Sequence, residues 1–191
     1  MRLAAPRIAP LRDDELTDDQ REALAPMAAG GRPVLNIFRT LARAPKALAR
    51  FNEWGSYVLS RRNSLPARER EIVILRVGFL CKSGYEFTQH TRIGLQAGLT
   101  ETDIANIKKG ADSGWSEADA ALIRAADELV GDHFISNATW AALKVHFDQK
   151  QRMDVVFTVG QYTQVSMLLN TFGVQIEGGQ SVDPDLKKIE A

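Results

Sequence analysis

Residues 66–98 read PAREREIVILRVGFLCKSGYEFTQHTRIGLQAG. Ser64 and Pro66 mark a helix start, because proline is tolerated in a first turn. The helix Arg68–Cys81 that follows is nearly all apolar after Glu71, through Ile72, Val73, Ile74, Leu75, Val77, Phe79 and Leu80. A helix that is apolar all round belongs in the middle of a core. Ser83-Gly84 is the expected junction, and a second helix, Tyr85–Ala97, ends at Gly98. Two adjoining helices, one wholly buried, therefore anchor the fold.

The helical period continues outward on both sides. Thr17 followed by Gln20 is a capping box that opens a helix from Asp18 to about Met27, and Gly30-Gly31-Arg32-Pro33 breaks it. A short helix is expected near Asn36–Ala42 and a longer one from about Pro45 to Arg62. Downstream, Thr100 with Asp103 caps a short helix through Lys109, and Ser116 with Asp119 caps Glu117–Val130. Ser136 opens Ala138–Phe147, and a last long helix runs from about Gln149 to Phe172. No stretch alternates with period two for long, so the fold class is all-α. A faint repeat appears on shifting by 82 residues, which lays Arg70, Val77 and Gly78 over Arg152, Val159 and Gly160. The polar Glu71, Glu86 and His90 then fall opposite Met153, Leu168 and Phe172, so a helical scaffold of this kind does not require polarity at those places.

Composition narrows the functional classes. The 191 residues suit one domain (1–191), with a core of about 11–174 and an irregular tail at 175–191. Hydrophobic residues at 45% and charged residues at 25% are ordinary globular values. Lys+Arg 24 balances Asp+Glu 24, which argues against nucleic-acid partners and acidic membranes. No apolar run approaches the ~20 residues of a membrane span, and the N-terminus does not read as a signal peptide, so a cytoplasmic location is expected. The single cysteine, Cys81, excludes an intrachain disulfide and a Cys-rich metal site.

Glu86 and His90 are four apart and share one helix face. A carboxylate beside an imidazole fixes its tautomer and stabilises the imidazolium, which makes a proton-transfer pair. If the Ser83-Gly84 junction turns the chain back, Glu71 joins them. Tyr85 adds a phenol at the start of the second helix, where free N–H groups favour an anion. The plainer alternative is an exposed Glu86–His90 pair with Glu71 serving its helix dipole. Arg76 interrupts the apolar run and needs a partner, either a structural carboxylate or an anionic substrate. His133 and His146 suit surface or capping roles, and Cys81 suits an inert core thiol. There is no phosphate loop and no nucleophile elbow.

The run from Leu65-Pro66 through Glu71 and Arg76, followed by Tyr85-Glu86-Phe87-Thr88-Gln89-His90, resembles the carboxymuconolactone decarboxylase family. Trp115-Ser116-Glu117, Ala125-Ala126-Asp127-Glu128-Leu129, Ala138-Thr139-Trp140, Gly160-Gln161-Tyr162 and Leu169-Asn170-Thr171-Phe172-Gly173-Val174 are similar too. The resemblance spans roughly Leu11 to Val174. It implies an alkylhydroperoxidase D-like helical fold with a degenerate repeated hairpin, assembled as homotrimers or homohexamers with sites near subunit contacts. Alkylhydroperoxidase D-like proteins in this superfamily carry a Glu, a Cys-x-x-Cys and a His. Laid on this chain, those positions are Glu71, Ser83, Glu86 and His90. Both thiols are absent, and Cys81 stands two residues before the first, so peroxiredoxin-type chemistry is disfavoured.

What remains resembles the decarboxylase side. The resemblance implies a cofactor-free, metal-free lyase acting on a small cyclic or aromatic-derived acid or lactone, as in aromatic compound catabolism. His90, oriented by Glu86, is the implied proton donor or base, and Glu71 completes the relay. Tyr85 or Arg76 steadies an oxyanion or a substrate carboxylate. The pocket is expected to be lined by apolar side chains of the Pro45–Arg62 helix and by a neighbouring subunit. The competing readings are an alkylhydroperoxidase-like oxidoreductase using Cys81 with an external thiol, and a non-catalytic oligomeric module.

Overall fold

The structure, a computed structural model, describes residues 2–31 and 33–187. Its helices in chain order are α1 (Asp18–Ala28), α2 (Asn36–Leu41), α3 (Pro45–Leu59), α4 (Ala67–Leu80) and α5 (Gly84–Gln96). They continue with α6 (Glu101–Lys109), α7 (Glu117–Gly131), α8 (Asn137–His146) and α9 (Gln149–Phe172). Among the described residues there is no strand, and no helix is long and apolar enough to cross a membrane.

The apolar run puts α4 at the centre. Ile72 through Leu75 and Val77 are completely buried, and α5, α6, α7 and α9 all pack on this helix. Arginines tie it laterally. Arg68 makes a two-pronged pair with Asp119 of α7, at 2.9 and 3.0 Å. The α4–α5 junction lies slightly earlier than Ser83-Gly84. Lys82 adopts φ +53, Ser83 N–H donates to Gly78 O at 2.8 Å, and Lys82 N–H donates to Phe79 O at 3.0 Å. This pair of bonds is a Schellman ending, here with lysine in the left-handed position where glycine is usual.

The antiparallel approach of α4 and α5 is close because of Gly94. A Cβ at that position would stand 2.9 Å from Leu99 Cδ1, 3.2 Å from Leu75 Cδ1 and 3.7 Å from Glu71 Cβ. The 82-residue shift lays α4 and the first half of α5 over the single helix α9, which runs unbroken where they are separated and ends at Phe172.

Two smaller apolar clusters flank this core. One joins Ile37, Tyr85, Val165, Leu169 and Val174, and the other joins Leu11, Leu24, Ala42 and Leu48. Helices α1–α3 thus form a layer over the α5–α9 face. Helix α3 stops three residues before the expected Arg62. The Asn63 side chain accepts from Leu65 N–H at 2.9 Å, and buried Asp154 accepts from Ser64 N–H and Oγ at 2.7 and 2.6 Å. Those bonds hold residues 60–64 out of the helix.

The tail is less irregular than expected. Pro184–Leu186 is a turn of 3-10 helix, and Leu186 packs into the α4 cluster. Lys108 pairs with Asp183 at 2.6 Å and with Asp185 at 2.9 Å. Residues 188–191 of the expected tail, and Arg32 of the expected break, lie outside the described residues.

Candidate active site

The α4–α5 hairpin puts Glu71 beside His90, 19 residues apart. His90 Nδ1 lies 2.7 Å from Glu71 Oε2, and Nε2 lies 3.0 Å from Glu86 Oε1. Relative exposures of 1% for Glu71, 4% for Glu86 and 6% for His90 rule out the exposed-pair alternative. Glu86 is in the first turn of α5, where the helix dipole favours a carboxylate. Burial works against charge on the imidazole, but the Glu86 and Glu71 carboxylates more than offset it and raise the His90 pKa to about 10. The ring is therefore an imidazolium at neutral pH, donating from both nitrogens. Among the described residues no group of three or more His, Cys, Asp and Glu is arranged to hold a metal.

Glu86 and His90 line a cleft of about 780 Å³, while Glu71 does not reach it. Glu71 thus stands behind His90, which borders the cleft together with Glu86. Helix α3 contributes Phe51 and Leu59, as the apolar lining predicts, but also Asn52, Gly55 and Ser56. Helices α1, α2 and α9 supply the other walls, including Met27, Ile37 and Tyr162. Arg92 is exposed at the edge of the cleft, with no ion pair among the described residues.

Two expected site residues are engaged elsewhere. Arg76 does not line the cleft. Its Nε donates to Asp127 Oδ1, and its Nη1 donates to the carbonyls of Ile107 and Lys108 at 2.7 and 3.0 Å. This corrects the expected substrate-binding role, because the buried guanidinium joins α4 to α7 and caps the end of α6. Tyr85 borders the cleft with its ring, but its hydroxyl donates to Glu177 Oε1 at 2.7 Å. Burial first, then the Glu177 hydrogen bond, pushes the Tyr85 pKa far up, so the phenol stays protonated. Glu177 also accepts from Asn36 N–H at 2.8 Å and from Gln89 Nε2 at 2.6 Å. The Tyr85 hydroxyl, expected to serve a substrate anion, is thus taken with two further donors by a carboxylate of the chain itself.

Sequence reading missed the α9 wall. Tyr162 is buried, and its ring meets His90 edge-on, with centroids 4.9 Å apart. Burial, then the Glu86 and Glu71 charges, raise its pKa well above the ordinary value, so it is a neutral hydroxyl at the cleft. Gln161 sits beside it, also buried and lining the cleft. A glutamine within the apolar run of α9 is the signal that could have marked this wall. Glu177 carries no such signal, standing in a tail of mixed polarity. Cys81 is half-buried and does not line the cleft, and burial pushes its thiol pKa up.

The chain is similar to known proteins in both sequence and structure. Residues 45–128 match the carboxymuconolactone decarboxylase family. No curated protein matches the chain significantly. Among solved structures, an alkylhydroperoxidase AhpD core protein from Ralstonia eutropha, described as peroxidase-related, superposes with a TM-score of 0.77 at 19% identity. It covers 92% of this chain and 95% of its own. A peroxidase-related protein from a Silicibacter species gives a TM-score of 0.74 at 16% identity over 90% and 93% of the two chains. A cysteine-to-alanine variant of the debrominase Bmp8, in complex with 2,3,4-tribromopyrrole, gives 0.72 at 11% identity over 92% and 94%. Those identities bear on the fold alone. With α4, α5 and the three-residue constellation inside the matched segment, residues 45–128 are similar to the carboxymuconolactone decarboxylase family, and the chain has the alkylhydroperoxidase D-like fold.

Proposed function

We propose that the protein is a cofactor-free lyase that decarboxylates a small cyclic acid or lactone by proton transfer through Glu86 and His90. The observation that carries this reading is the buried line Glu71–His90–Glu86 ending at a cleft. An unsaturated lactone acid loses CO₂ when the electrons of the breaking C–C bond pass into the ring as a dienolate. The dienolate then needs one proton on carbon. His90 holds that proton as an imidazolium. It passes from Nε2 to Glu86 Oε1, and the carboxylic acid so formed turns and delivers that same proton into the cleft. The ring becomes neutral and is reprotonated from solvent by the reverse route. Glu71, behind the ring, fixes its orientation and compensates its charge. The Tyr162 hydroxyl, held neutral, is the donor suited to the developing oxyanion.

A thiol-peroxidase reading, suggested by the peroxidase-related neighbours, finds no support at this cleft, because Cys81 stands away from it and its thiol pKa is raised. Assembly as a homotrimer or homohexamer belongs to the same reading and is supported by exposed Met153, Val156 and Met167 on one side of α9. The proposal is tested by measuring CO₂ release from unsaturated lactone acids. Wild type should turn over at least one of them, and His90→Gln and Glu86→Gln should each lose ~10²-fold or more. Equal turnover in both variants would remove the pair from the mechanism.

A further inference from the structure

Gln161 is 5% exposed and faces the cleft, yet neither end of its amide has a hydrogen-bond partner among the described residues. Its Oε1 is completely enclosed. Oε1 is an acceptor shut off from the cleft, so the end of the amide that a ligand can reach is Nε2, and a donor without a partner in a ligand-sized cleft suits an acceptor atom of the ligand. The facing wall has a matching gap. Gly55 lies inside α3, where glycine costs helix stability, and a Cβ there would stand 3.6 Å from Gln161 Nε2. The missing side chain leaves a notch directly over the amide.

The charge around the notch selects what enters it. The relay contributes two acidic side chains against one imidazolium, and the arginine at the cleft, Arg92, lies at its exposed edge. A carboxylate deep in the cleft would meet Glu86 with nothing to compensate it. A neutral oxygen that only accepts a hydrogen bond meets no such penalty. We propose that the Gln161 amide, in the notch left by Gly55, binds a carbonyl oxygen of the ligand. This inference rests on the lyase reading for its purpose, since the ring carbonyl of a lactone is where dienolate charge gathers. Gln161 adjoins Tyr162, whose ring touches His90, so a carbonyl held here turns the rest of the ring towards the relay.

The test compares two probes that differ in one carbonyl, 5-oxotetrahydrofuran-2-carboxylate and tetrahydrofuran-2-carboxylate, by calorimetric or NMR titration of the intact protein. Wild type should bind the lactone acid about three- to tenfold more tightly, as one neutral hydrogen bond implies. Gln161→Leu should bring the ratio close to one. Gly55→Ala, whose methyl fits against the amide but fills the notch, should do the same while keeping the thermal midpoint. His90→Gln should retain the preference. A wild-type ratio near one overturns the inference, and so does a ratio undiminished in Gln161→Leu. Wild-type preference that depends on Gln161, together with no CO₂ release from any lactone acid, upholds carbonyl binding and rejects the lyase reading.

Discussion

His90 is the residue on which the site turns. A histidine enclosed by protein ordinarily loses its charge, and here two carboxylates reverse that outcome. The folded-state pKa of about 10 stands above the ordinary value near ~6.5, so the charged ring stabilises the fold fully below that lower value. The contribution is lost as pH rises through about 10. The thermal midpoint of wild type should therefore fall from neutral pH towards about 10. In Glu86→Gln one of the two raising charges is gone, so the fall should be smaller and should level off at lower pH. Identical profiles for the two proteins would show that Glu86 does not hold the proton on the ring.

At the scale of elements, the site depends on how near α5 comes to α4. Gly94 sets that distance, with Leu75 and Leu99 crowding the position of its missing side chain and Glu71 in contact with it. Gly94→Val should cost about 1–3 kcal/mol by overpacking and reduce turnover beyond what the stability loss explains, because it pushes Glu71 and His90 apart. Denaturant unfolding and CO₂ release measure the two effects, and unchanged turnover would show that the helix spacing does not set the relay.

Local signals were legible from the sequence. Thr17 with Gln20 and Thr100 with Asp103 form the expected capping boxes, and α9 has the expected bounds. Ser116 with Asp119 is only half a box, because Arg68 takes the Asp119 carboxylate. What could not be read depends on partners far along the chain. Asp154 ends α3 by binding Ser64, 90 residues away, Asp127 claims Arg76 across 51 residues, and Glu177 reaches Tyr85 across 92. The meeting of Glu71 with His90 was legible because a single turn of chain brings it about.

For the molecule as a whole, a balanced surface charge conceals an uneven interior. The main core around α4 is largely apolar and is crossed by the Arg68–Asp119 and Arg76–Asp127 pairs, while the Glu71–His90–Glu86 relay opens towards the layer of α1–α3. That layer makes the relay a site, since Phe51 and Ile37 wall one side of the cleft while Arg92 marks its edge. The fold supplies shelter, and the charge state of one imidazole decides whether the shelter can deliver a proton. Ring ¹⁵N NMR of the intact protein, with the His90 signals assigned by their absence in His90→Gln, tests this most directly. At about pH 8 both ring nitrogens of His90 should be protonated, losing a proton only near pH 10. A neutral ring at about pH 8, with one nitrogen bare, would contradict the account.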